Sequence, residues 1–128
     1  MDKQIAYWIE ESEKDLPVAE ILLEKGHYTW CLFVGHLVLE KILKAIYVKE
    51  HRKLAPRIHD LVKLAKSTKL ELTDDQLLFL SEVSDFSMEG RYPDEKSQFA
   101  AKCNEEFADG YLKKIREMHC WLKQQVEK

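Results

Sequence analysis

Three polar side chains climb an otherwise apolar stretch at four-residue steps: His36, Glu40 and Lys44. On a helix that spacing stacks them along one face. Glu40 ahead of Lys44 is the favourable order for an ion pair one turn apart, which contributes about 0.3–0.5 kcal/mol when exposed. If buried, the same charges need further partners, because desolvating each ion costs several kcal/mol. Two readings follow. The row is either a structural network joining helices or a set of charged rungs along a groove or a dimer interface. A second candidate is the tripeptide Arg91-Tyr92-Pro93. Pro93 pushes Tyr92 toward extended geometry, so the arginine fork projects from a stiffened loop and suits a carboxylate or a phosphate bidentately. Arg91 either anchors that loop by pairing with Glu40 or Asp15, or belongs to a surface for nucleotide phosphate or a protein partner.

Other chemistries are poorly supported by spacing. Gly26, Gly35, Gly90 and Gly110 lie too far apart for a phosphate-cradling loop. A Gly-Ser followed by an Asp-x-Asp pair, expected of a nucleotidyltransferase, is missing from the sequence. The histidines His27, His36, His51, His59 and His119 fall into no His-Glu-x-x-His arrangement, and Cys31, Cys103 and Cys120 form no Cys-x-x-Cys pair, so no metal site is expected.

The elements that must carry these residues read as helices. Ile5, Trp8, Ala19, Leu22 and Leu23 share a face over residues 3–25, interrupted by Pro17, which kinks the helix or restarts it near Asp15. A second helix over residues 28–50 is apolar almost all round, as expected of the central rod of a bundle. A short third helix covers residues 59–68, with Asp60 near its positive end. Thr73-Asp74-Asp75-Gln76 is a capping box, opening a fourth helix that runs toward Gly90. Residues 91–102 are polar and proline-broken and read as an ordered loop or short turn. Asn104 caps the last helix, whose stripe is Phe107, Tyr111, Ile115, Met118, Leu122 and Val126. The fold class is all-α: an up-and-down bundle of four longer helices plus one short one, in a single domain over residues 1–128.

A chain of 128 residues buries enough surface for its own core without disulfides. The three cysteines are expected to be buried, reduced thiols of a cytoplasmic protein. No apolar run approaches a membrane span and the N-terminus lacks a signal-peptide core, so a soluble protein is expected. Net charge is −3, yet residues 41–69 hold nine bases against Glu50 and Asp60, between two acidic segments. That block is either a solvated helix end and loop or a surface for phosphate, RNA or an acidic partner.

Taken in order, Trp8, Asp15-Leu16, Ala19, Leu22-Leu23, Gly26 and Tyr28, then Phe33, His36, Glu40-Lys41 and Leu43-Lys44-Ala45, then His59-Asp60-Leu61 and Arg91-Tyr92-Pro93, make a pattern that resembles the HEPN family. These are small helical domains named for higher eukaryotes and prokaryotes and for nucleotide binding. The resemblance covers nearly the whole chain. It implies similarity to the helical domain of kanamycin-type nucleotidyltransferases, homodimerisation, and partnership with a separate minimal nucleotidyltransferase chain in a toxin and antitoxin arrangement. It further implies a noncatalytic domain with no cofactor beyond a nucleotide ligand such as ATP or GTP. Arg91 with Lys41 or Lys44 would take phosphate and Tyr92 would stack, beside His36, Glu40 and Asp15. Family ribonucleases resemble one another in an arginine and a histidine about four to six residues apart. Here the nearest such pair, Arg116 and His119, is three apart, leaving a ribonuclease toxin or a purely structural interaction module as the alternatives.

Overall fold

The computed structural model describes residues 1–87 and 92–128, which form six helices: α1 (Asp2–Glu24), α2 (Tyr28–His51), α3 (Leu61–Lys66), α4 (Asp74–Ser84), α5 (Pro93–Lys102) and α6 (Glu105–Glu127). Helix α1 is unbroken through Pro17, so Asp15 lies inside it and does not start a new helix. The turn into α2 is set by Gly26, whose φ of +82° is open to glycine at no steric cost. There Gly26 N–H bonds the Leu23 carbonyl and His27 N–H bonds that of Leu22, which closes the end of α1 and reverses the chain.

Helix α2 is central, and α1, α3, α4, α5 and α6 all pack on it. Its Leu32, Val38, Leu39, Ile42 and Leu43 are fully buried and meet Leu61, Leu64, Leu80, Leu112, Ile115 and Leu122 in one core. Each such side chain contributes about 1.5–3 kcal/mol relative to exposure. The capping box forms as expected: Gln76 N–H donates to Thr73 Oγ1 at 3.1 Å, and Thr73 N–H donates to Gln76 Oε1 at 2.9 Å. Asn104 caps α6 through a 2.9 Å bond from Phe107 N–H.

Three local expectations change. Residues 93–102 are helical: Pro93 occupies the first turn, where its missing N–H costs nothing, and Asp94 and Glu95 favour the positive end of the helix. Helix α4 ends at Ser84, well before Gly90, because the chain leaves through Phe86, which drops into the core. Cys31 and Cys103 are buried, and burial pushes their thiols up to about 12 and about 11, but Cys120 is exposed because it lies off the buried stripe of α6. Among the described residues, no helix is long and apolar enough to cross a membrane.

Candidate functional site

The apolar surface of α2 forces its polar row inward, and the row arrives with its charges paired. His36, Glu40 and Lys44 are only 1, 4 and 6% exposed. Lys44 Nζ donates to Glu40 Oε2 at 3.0 Å and lies 5.2 Å from the centroid of the Trp8 ring on α1, a cation held by both a carboxylate and an aromatic face. The other carboxylate oxygen, Oε1, accepts from His59 Nδ1 at 2.9 Å. His36 Nε2 lies 2.9 Å from the His59 carbonyl oxygen, which can only accept, so that nitrogen carries its proton. Glu40 is thus the hub of a network that ties α1, α2 and the segment before α3 together.

Local sequence fixes the far side of the hub. Asp60 caps α3 by accepting from Val62 and Lys63 N–H, and Leu61 N–H donates to Ser84 Oγ on α4 at 2.9 Å. His59 is therefore held against Glu40 while about half of its side chain stays in solvent. The hub comes to the surface through this imidazole.

The other described residues named from the sequence lie elsewhere. Asp15 pairs with Lys41 at 2.7 Å across the α1–α2 seam, with Glu11 at 3.8 Å from the same ammonium. Glu40 and Asp15 thus already have cations, and neither requires Arg91 as a missing partner. Arg91 lies outside the described residues. Tyr92 is 71% exposed and precedes α5. The structure adds His59 to His36, Glu40 and Lys44. The sequence hint for it is the His59-Asp60-Leu61 triplet, in which a helix cap follows the histidine directly.

The basic block of residues 41–69 divides in two. Lys41 and Lys44 are paired internally, Lys49 donates to the Val126 and Lys128 carbonyls, and Arg52 meets Asp2 at 3.2 Å. Lys53, Arg57, Lys63, Lys66 and Lys69 are exposed, with no ion pair among the described residues. Arg57 and Lys63 flank His59 in the chain.

Arg116 and His119 each take a partner on α1. Arg116 makes two bonds to Glu20 Oε1 at 2.9 and 3.2 Å on the surface. His119 is buried against Ser12 of α1, Nε2 to Oγ 3.0 Å. The Ser12 hydroxyl donates its proton to the Ile9 carbonyl, so it accepts from His119 Nε2–H. Burial holds the His119 pKa below its ordinary 6.5, outweighing the opposing pull of Glu13. Its neutral form belongs to the fold, so its contribution is full above pH 6.5 and declines as acid protonates the unfolded chain preferentially. Urea melts between pH 7 and 5 should show wild type losing more stability than His119→Gln; parallel curves would remove this group as a source of acid sensitivity.

An all-helical domain whose polar centre is a largely buried ion network therefore carries the row read from the sequence. The HEPN domain model matches residues 5–125, and the chain belongs to the HEPN family. The fold is similar to that of TT1696 from Thermus thermophilus, with a TM-score of 0.79 at 18% identity over 94% of this chain and 97% of that one. It is likewise similar to ST0689, an archaeal HEPN homologue, with a TM-score of 0.72 at 18% identity over 95% of this chain and 97% of that one. No curated protein matches the sequence.

Proposed function

We propose that the chain is a noncatalytic binding domain that takes the phosphates of a nucleotide, pairs with itself, and partners a minimal nucleotidyltransferase chain, as in a toxin and antitoxin pair. One observation carries this reading: the cations of the α2 interior are neutralised by Glu40 and Asp15, whereas Lys53, Arg57, Lys63 and Lys66, near His59 in the chain, have no carboxylate partner among the described residues. Unneutralised surface cations attract phosphate or an acidic partner without desolvating the buried ions. In this reading His36, Glu40, Lys44, Lys41 and Asp15 hold the scaffold in shape, and Arg91 and Tyr92 add a guanidinium and a stacking ring from the segment leading into α5. The burial of His119 on Ser12 and the pairing of Arg116 with Glu20 weigh against the ribonuclease alternative.

Calorimetry with ATP and GTP tests the reading. Saturable heat is expected at micromolar to millimolar nucleotide, weakened about tenfold by Arg57→Ala with Lys63→Ala and by Arg91→Ala. No heat at millimolar nucleotide, together with no co-purification of a chain bearing the Gly-Ser and Asp-x-Asp signature encoded beside this one, would overturn it.

A further inference from the structure

Helix α1 packs Trp8, Ser12, Ala19 and Leu23 inward and turns an ordered stripe outward: Lys3, Tyr7, Glu10, Lys14, Val18 and Ile21. At about 100° per residue these six positions fall within roughly 80° of the helix circumference, opposite the packed face. Tyr7, Val18 and Ile21 are 54, 46 and 54% exposed, large apolar side chains on a surface that otherwise carries charge. Glu10 has no ion pair among the described residues, and the Lys14 ammonium, 3.4 Å from Glu11, remains largely in solvent.

We propose that this stripe is the face on which two copies of the chain pair, α1 lying antiparallel to α1 of the second copy about a twofold axis that crosses the helix at the level of Ser12 and Glu13. The proposal rests on the self-association assigned above and names its surface. The order of residue types supports it. A twofold contact sets residue i of one copy against j of the other and j against i. In the antiparallel register Tyr7 meets Val18, Glu10 meets Lys14, and the Lys3 stem lies along Ile21, each pair occurring twice. A parallel register would put Glu10 on Glu10 and Lys14 on Lys14, so charge selects the antiparallel one. Two stripes of this length give a contact at the small end of specific interfaces, and dissociation in the micromolar range or weaker is expected.

Sedimentation equilibrium over a micromolar to sub-millimolar series tests the face, with far-UV circular dichroism confirming that each surface variant is folded. Wild type should dimerise. Glu10→Lys and Lys14→Glu should each weaken the dimer about tenfold or more, since each sets two like-charged pairs across the axis. Mixing these two variants should restore association as a heterodimer, because every facing pair is again opposite in sign. Val18→Glu should weaken the dimer with no such remedy. A wild-type dimer indifferent to all three substitutions would overturn the α1 face and leave self-association standing. A chain that stays monomeric at every concentration would overturn both.

Discussion

Glu40→Ala should lower the unfolding free energy by about 3–5 kcal/mol, a large share of the roughly 5–15 kcal/mol that holds a domain of this size together. The loss comes mainly from what remains. Without the carboxylate, the Lys44 ammonium, on a residue 6% exposed beside the Trp8 ring, is left buried with no counter-charge. His59 loses the acceptor of its Nδ1–H in the same change. The expected fall in melting temperature is roughly 10–20 °C. Urea unfolding followed by circular dichroism separates this from ordinary truncation through a second variant, Glu40→Leu with Lys44→Met. That pair replaces both ions by apolar groups of similar volume and should recover most of the loss, because two absent charges need no solvation. Lys41→Ala is the contrast. Its side chain is already 19% exposed beside Asp15, and its loss should cost no more than about 1 kcal/mol. A Glu40→Ala cost below about 1 kcal/mol would mean that Lys44 reaches water along its flexible stem and that the hub is not closed.

What could be read from the sequence separates by range. The caps at Thr73 and Asn104 involve residues three apart, so their side-chain geometry is set by the helix they begin, and both form as read. The burial of Glu40 and Lys44 follows from their place on a helix apolar on all sides. The pairing of Glu40 with His59 does not, because it joins α2 to a segment whose position depends on the Ser84 bond to Leu61 and on the packing of α3. Helix α5 escapes a sequence reading for a different reason. Its one buried apolar residue is Phe99, so periodicity gives almost no signal, and Pro93 reads as a breaker unless it is recognised as a first-turn residue. His119 is legible in principle, four residues past Ile115 and three before Leu122, a position the α6 stripe buries. Weighing it as half of an Arg116 pair obscures that geometry.

Gly35→Val should cost about 3 kcal/mol, and the reason lies on α6. A Cβ at Gly35 would sit 2.8 Å from Ile115 Cδ1, closer than two carbon atoms approach, so the fully buried Ile115 side chain must shift to admit it. Overpacking of this kind typically costs about 1–3 kcal/mol, and the two γ-carbons of valine push it toward the upper end. Gly35→Ala brings only the Cβ, and its clash is partly offset by the roughly 1 kcal/mol that alanine gains over glycine within a helix. Gly35 therefore serves the close approach of α6 rather than backbone freedom. A double-mutant cycle checks this. Ile115→Val removes the clashing methyl and alone should cost about 0.5–1.5 kcal/mol. Combined with Gly35→Ala it should cost at least about 0.5 kcal/mol less than the two single changes together, since the methyl lost from one helix makes room for the methyl added to the other. Strict additivity in urea melts would mean that α2 and α6 are not in contact through this pair. The position next to Gly35 is His36, so the spacing this glycine permits is also the spacing at which α2 presents its polar row to the rest of the bundle.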